Sequence, residues 1–191
     1  KVALQYQMLK TENIRAQFEI LRQQISPHFL FNSLSTLRSM IRSSNKNAEN
    51  FVIKLSDIFR LLLINKERDT VTLKEELELI DDYSFLLFAR YENMISIDID
   101  IPGHLQNRLI PTFSLQLLLE NSVKHNIVSK DKPLHIKIYD SGNNSITIEN
   151  NLQPKVATGE GSGLGLQNLI KRYEFLGIDE SEQIFSDESV F

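Results

Sequence analysis

Apolar residues recur through the first third of the chain in alternating steps of four and three. Ile14, Phe18, Leu21 and Ile25 form one stripe, and Leu30, Leu34, Leu37 and Ile41 a second. The two are out of step by one residue, with Pro27 at the slip. Such steps keep residues on one face of an α-helix. A proline inside a helix removes a backbone donor and crowds the preceding turn, so a helix kinked at Pro27 is predicted. The polar residues 43–47 predict a turn. Ala48, Val52, Leu55, Phe59 and Leu62 predict a second helix. A lone two-helix hairpin leaves an apolar face in water, and a second copy covers it. A four-helix bundle made by a homodimer is therefore expected.

The pattern changes near Asp69. Thr72 and Glu75 fit a capping box, and Leu73, Leu77, Ile80 and Leu87 continue a helix from it. Ile95, Ile97, Ile99 and Ile101 alternate strictly, which predicts a half-buried strand ended by Pro102 and Gly103. Residues 113–125 read as an apolar helix with a polar C-terminal end. Leu134, Ile136 and Ile138 alternate, as do Ile146 and Ile148, with a hairpin turn at 141–144 between them. A glycine-rich run at 159–165 leads into a helix over 166–176. The expected fold class is α+β: a helical hairpin over 1–68, then an α/β layer over 69–191. Val190 and Phe191 read as a strand cut short, and the sequence as a fragment of a longer chain.

Composition narrows the classes. Hydrophobic residues make up 41% and charged residues 24%, values that suit a folded domain rather than a disordered chain. The net charge is −4 without a long basic run, so no nucleic-acid partner is expected. There is no cysteine, which excludes disulfides and thiolate metal sites. No apolar run approaches the ~20 residues that a membrane span needs. Any membrane attachment is expected in segments outside this sequence.

His28 shares a polar helix face with Gln24, Asn32, Ser35 and Ser39, opposite the leucines. Imidazole is a good nucleophile at neutral pH, and Asn32, one turn on, can orient a group attached to the ring. By itself this pattern suits any surface histidine. The string around it is more specific. Residues 21–34 read Leu-Arg-Gln-Gln-Ile-Ser-Pro-His-Phe-Leu-Phe-Asn-Ser-Leu. They resemble the phospho-acceptor box of the LytS/YehU-type sensor histidine kinases, Gln-Ile-Asn-Pro-His-Phe-Leu-Phe-Asn, with Ser26 in place of the first asparagine. The resemblance implies that His28 accepts a phosphoryl group.

Two further segments resemble the same family. Residues 115–125, Leu-Gln-Leu-Leu-Leu-Glu-Asn-Ser-Val-Lys-His, resemble its N box. That implies Asn121 as the ligand of Mg2+ between the ATP phosphates, with Lys124 and His125 near the phosphates. The residues alone allow this. Mg2+ takes hard oxygen ligands and keeps several waters, and steps of three and four put Asn121, Lys124 and His125 on one helix face. Glu120 lies beside that face, where it can polarise a water or contact the metal. An ordinary polar helix end, with Lys124 and His125 complementing the dipole, is the plain alternative. Leu117 stands where the family usually has proline.

Residues 159–168, Gly-Glu-Gly-Ser-Gly-Leu-Gly-Leu-Gln-Asn, resemble the G2 box at the base of the ATP lid. Gly161, Gly163 and Gly165 let the backbone approach phosphates, and Leu166 and Asn168 open the following helix. The run lacks the Lys-Ser/Thr ending of a P-loop. The family's Asp-x-Gly-x-Gly box is missing. After Ile146-Thr147-Ile148 the chain reads Glu-Asn-Asn-Leu-Gln-Pro, and the amide oxygen of Asn150 is the candidate acceptor for the adenine amino group.

The resemblance covers about residues 10–178 and includes 71–77, Tyr83, Arg90 and Tyr91 as the link into the ATP domain. It implies a Bergerat-type sandwich that binds ATP and Mg2+, autophosphorylates His28 and donates to an aspartate on a response-regulator receiver domain. It also implies the cytoplasmic portion of a bacterial membrane sensor. Glu120 is the candidate base, and Asn32 a candidate aid to a reverse phosphatase activity. A dimeric scaffold without ATP turnover is the competing reading. The missing box favours it, and His28, Asn121 and the glycine run oppose it. An ATPase of the same fold leaves the Pro-His-Phe-Leu-Phe-Asn box unexplained.

Overall fold

The computed structural model describes residues 27–142, 145–155 and 164–177. The stripe from Ile14 to Ile25, the glycines 159, 161 and 163, and the strand expected at Val190 and Phe191 lie outside the described residues. The chain divides into two compact units, one ending at Lys66 and one beginning at Glu67.

In the first unit, α1 (Pro27–Arg42) and α2 (Ala48–Ile64) form a hairpin. The Asn47 N–H donates to the Asn45 side chain in the turn, a local bond that favours turns over helix. Phe51, Leu55, Ile58 and Leu62 of α2 are buried, with Ser33 and Met40 of α1. The rings of Phe29 and Phe59 meet at 6.5 Å. Leu55 and Leu62 sit as the spacing predicts. Phe51 and Ile58, rather than Val52, complete the buried row, and Leu34 and Ile41 face outward. The reason is a surplus of apolar residues: each helix carries more than one 3-and-4 stripe. Phe31, Leu34, Ile41, Val52, Ile53, Leu63 and Ile64 remain 43–68% exposed.

The second unit opens with β1 (Thr70–Thr72), which pairs antiparallel with β3 (Leu109–Pro111). A second sheet has the order β2 (Ile95–Asp100), β4 (Leu134–Gly142), β5 (Ser145–Asn150), with β2 and β4 parallel and β4 and β5 antiparallel. The helices are α3 (Leu73–Tyr91), α4 (Ser114–His125) and α5 (Leu164–Phe175). Leu134, Ile136 and Ile138 on the central strand are fully buried, as the two-residue alternation requires. Leu79, Ile80 and Leu87 of α3, Leu115, Leu119 and Val123 of α4 and Leu169 of α5 complete the core. β1 and β3 were not foreseen, because three residues are too few to show alternation.

The predicted capping box is present. Glu75 N–H donates to Thr72 Oγ1, and the Glu75 carboxylate accepts from Thr72 N–H at 2.8 Å. Arg68 pairs with the same carboxylate at 2.7 Å. Its guanidinium, then the Thr72 amide, hold the Glu75 pKa down at about 2. A depressed folded-state pKa means that this contribution is present above pH 4.5 and is lost as pH falls towards 2. Thr72→Ala should cost about 1 kcal/mol, read by denaturant unfolding. An unchanged midpoint would show that the cap adds nothing to this helix.

Candidate nucleotide site

The elements around Asn121 are held by polar side chains at both ends of α4. At its start, Phe113 adopts a left-handed backbone (φ 64°), and its N–H donates to the Glu76 carboxylate of α3 at 2.6 Å. Leu115 N–H donates to the other oxygen at 3.1 Å. Two orphan amides of a helix N-terminus are thus satisfied by a carboxylate from a neighbouring helix, which also suits the helix dipole. Burial pushes the Glu76 pKa up to about 7, against the backbone amides of Phe113, Leu115 and Gln116 and the charge of Arg172. Arg172 of α5 donates to Thr112 O at 2.8 Å, and Tyr173 hydrogen-bonds Ser114 and feels the Glu76 charge. The helix after the glycine run is therefore docked on the start of α4.

α3 and α4 run side by side in the same direction. Glu76 meets the start of α4, and Tyr83, buried, feels the charge of Glu120 in its later half. Arg90 acts on Lys155, whose backbone is bonded to His125 at the end of α4. Residues 76, 83 and 90 are seven apart, two helical turns, so the three share one face of α3.

At the far end of α4, Asn121 and Glu120 are half-buried, and Lys124 and His125 are exposed. The His125 pKa is lowered by partial burial and then by the charges of Lys124 and Lys155. The segment after β5 is fastened here. Asn126 Oδ1 accepts from Gln153 N–H, and Asn126 Nδ2 donates to Ser122 O. Gln153 Nε2 donates to Ile127 O. Lys155 N–H donates to His125 O, and Lys155 Nζ donates to Val123 O at 3.0 Å and Lys124 O at 2.9 Å. In the place of a glycine-containing box, side-chain amides fix the backbone.

Asn150, expected just after the strand, is the last residue of β5 and is buried. Its Nδ2 donates to Asn151 O at 2.9 Å, and its Oδ1 is buried with no partner. A buried acceptor without a partner costs about 1–3 kcal/mol, so this oxygen suits an amino group brought by a ligand. Asn151 pins the same turn by accepting from His135 N–H and donating to Pro133 O.

Gly165 lies in the first turn of α5, and a Cβ there would sit 3.1 Å from Leu117 Cδ1. The end of the glycine run thus approaches α4 one turn before Asn121, and Leu117 is the surface it meets. Leu166 is half-buried and Asn168 exposed. The structure therefore gathers Asn121, Lys124, His125 and Gly165 around one helix. Gly161 and Gly163 lie outside the described residues. His28 falls in α1 of the first unit, and Asn32, half-buried, one turn later. Asn126, Gln153 and Lys155 were missed, although the amide-rich run 149–153 is the kind of composition that bonds side chains to backbone.

A family model described as Histidine kinase matches residues 16–95. The sensor protein LytS of Staphylococcus epidermidis (strain ATCC 35984) is 34% identical over 88% of this chain and 30% of its own length. The chain belongs to the LytS-type histidine kinases. The LytS of Staphylococcus saprophyticus is 31% identical over 90% of the chain and 32% of its own length. A protein named sensor histidine kinase/phosphatase LytS, from Staphylococcus aureus (strain MRSA252), is 30% identical over 84% of the chain. The chain spans about three-tenths of the length of these relatives. No helix among the described residues is long and apolar enough to cross a membrane.

Proposed function

We propose that this chain is the kinase core of a sensor that uses Mg-ATP to phosphorylate His28. The phosphoryl group then passes to an aspartate on a response-regulator receiver domain. The observation that supports this most is the approach of the glycine run to α4 at Leu117, one turn from Asn121. In this reading residues 69–191 form the Bergerat-type domain, and residues 1–68 form the dimerising hairpin. The exposed apolar side chains of α1 and α2 favour a second copy as their cover. In this reading the chain is the cytoplasmic part of a membrane-bound sensor; the relatives are named as sensor proteins.

Asn150 Oδ1 accepts from the adenine amino group, and Lys124, His125, Leu166, Asn168 and the backbone of Gly161, Gly163 and Gly165 line the phosphates. Among the described residues no three carboxylate or imidazole groups gather to hold a metal. Asn121 would offer its amide oxygen to a magnesium ion bound with the nucleotide, and that ion would neutralise charge on the phosphates.

A lone pair on His28 Nε2 forms the P–N bond as the bond from the γ-phosphorus to the β,γ-bridging oxygen breaks. ADP leaves with that electron pair, and the proton on the other ring nitrogen is released afterwards. Catalysis is positioning and charge neutralisation. Glu120 accepts the proton in this scheme, and Asn32 aids the reverse, phosphatase direction.

The test is incubation with Mg and γ-labelled ATP, beside His28→Gln and Asn121→Ala. Label that survives base and is lost in acid is expected on the parent and on neither variant. Nucleotide binding without label would mark a kinase held inactive, and neither label nor binding would favour the scaffold reading, which the missing glycines after β5 also favour. Phosphate release that survives His28→Gln would mark an ATPase.

A further inference from the structure

Three segments of the second unit meet on one peptide bond. Thr112, 2% exposed, lies between β3 and α4. Its N–H donates to Asp69 O at 3.1 Å, and its Oγ1 donates to Arg68 O at 2.6 Å. Arg68 and Asp69 belong to the joint that follows the first unit, which ends at Lys66. The Thr112 carbonyl accepts from Arg172 Nη1 of α5 at 2.8 Å. The other side of the same peptide, Phe113 N–H, donates to Glu76 of α3 at 2.6 Å. A trans peptide is planar and points its N–H and C=O in opposite directions. This plane is therefore gripped from α3 and from α5, while the joint fixes the residue that opens it. Phe113 holds φ 64°, a left-handed conformation that bulky side chains seldom adopt. A residue of this kind persists where its surroundings over-determine it, and such residues gather at sites that switch.

We infer that Thr112 is a positioning residue that couples the joint at Arg68 and Asp69 to the helix after the glycine run, so that the hold on nucleotide and the state of the joint depend on each other. The consequence for nucleotide rests on the reading above; the coupling itself does not. Every step of the path is a hydrogen bond. A shift of the joint turns Thr112 through its N–H and hydroxyl, and its carbonyl then moves against Arg172. α5 is also held by Leu169, which is buried, and by the approach of Gly165 to Leu117, where a Cβ would sit 3.1 Å away. At that spacing a small shift of α5 changes where the glycine run ends against α4. The same peptide opens α4, which carries Asn121, so both sides of the proposed phosphate site are set from one point. A role confined to β1 and β3 is met by their own ladder, Thr70 to Pro111, and needs no bond from α5. Coupling of this kind is reciprocal: nucleotide that steadies α5 also steadies the joint.

The full chain would be followed by amide hydrogen exchange without nucleotide and by titration with Mg-ATP. Thr112→Val keeps the shape of the side chain and removes the bond to Arg68 O. It should speed exchange in α5 and weaken Mg-ATP binding, each about fivefold, the lower end of couplings between sites. Exchange in β4, which Thr112 does not touch, should stay near the parent's. Thr112→Ser keeps the hydroxyl and should behave as the parent. In an Arg172→Gln background Thr112→Val should add nothing further to α5 exchange or to ATP affinity, because the link is already cut. Faster exchange confined to residues 68–72 would overturn the inference and leave Thr112 a local fastening. β4 rising as much as α5 would overturn it in favour of a general loss of stability. Losses that simply add in the double variant would also overturn it. A parent that binds no ATP would end the nucleotide reading, and α5 exchange with its dependence on Arg172 would still decide the coupling.

Discussion

Glu76→Ala should destabilise the second unit by about 3 kcal/mol, because it strips the acceptor from two buried backbone amides at once. Those amides, of Phe113 and Leu115, open the helix that carries Asn121. Arg172 and Tyr173 would lose the carboxylate that faces them, so the amides of α5 should exchange hydrogen faster. The folded-state pKa of Glu76, about 7, lies above the ordinary 4.5. Its contribution is therefore full below pH 4.5 and is lost as pH rises through 7. Denaturant unfolding of the parent should show that decline between pH 5 and 8. In Glu76→Gln the decline should flatten, at some cost because the amide group presents a donor to one of the two N–H groups. A loss below 1 kcal/mol for the alanine variant, or a parent slope of opposite sign, would remove Glu76 from this role.

Asn150→Leu should weaken ATP binding at least tenfold, about 1.4 kcal/mol, while leaving the fold as stable as before or more so. The two effects share one cause. Asn150 Oδ1 is buried without a partner, a desolvation cost of about 1–3 kcal/mol that a leucine of similar shape does not carry. The substitution also removes the Nδ2 bond to Asn151 O, worth about 1 kcal/mol, so the net change in stability is small or favourable. A thermal melt without nucleotide and a titration with Mg-ATP separate the two. Undiminished affinity would mean that the adenine acceptor lies elsewhere.

Much of the second unit is legible in the sequence. The Thr72 cap, the alternating isoleucines of β2, β4 and β5 and the helix over 114–125 follow from local periodicity and pairing, and each is present. The residues that fasten the site are harder to read, because their partners are distant in the chain. Glu76 looks like one more first-turn acid of α3, yet it bonds residues 37 and 39 positions away. Lys155 looks like a loop cation, yet it caps a helix 31 and 32 positions earlier. In the hairpin the difficulty is the reverse. Apolar residues lie on more than one face of α2, so periodicity alone does not choose between Phe51 and Val52. The motifs named the region of the site, and tertiary hydrogen bonding supplied its frame.

The parallel course of α3 and α4 makes the length of α3 a ruler. Glu76 is set against the first turn of α4, and Arg90, two heptads on, is near enough to Lys155 to act on its charge. One residue inserted or removed between them would swing Arg90 by about 100° around the helix axis and shift it by about 1.5 Å. No compensating bend is on offer, because Tyr83 is packed midway. Between Glu76 and Arg90 the count of residues is therefore constrained as well as their identity, and a whole heptad is the smallest insertion that returns both charges to one side of the helix, about 10 Å further apart.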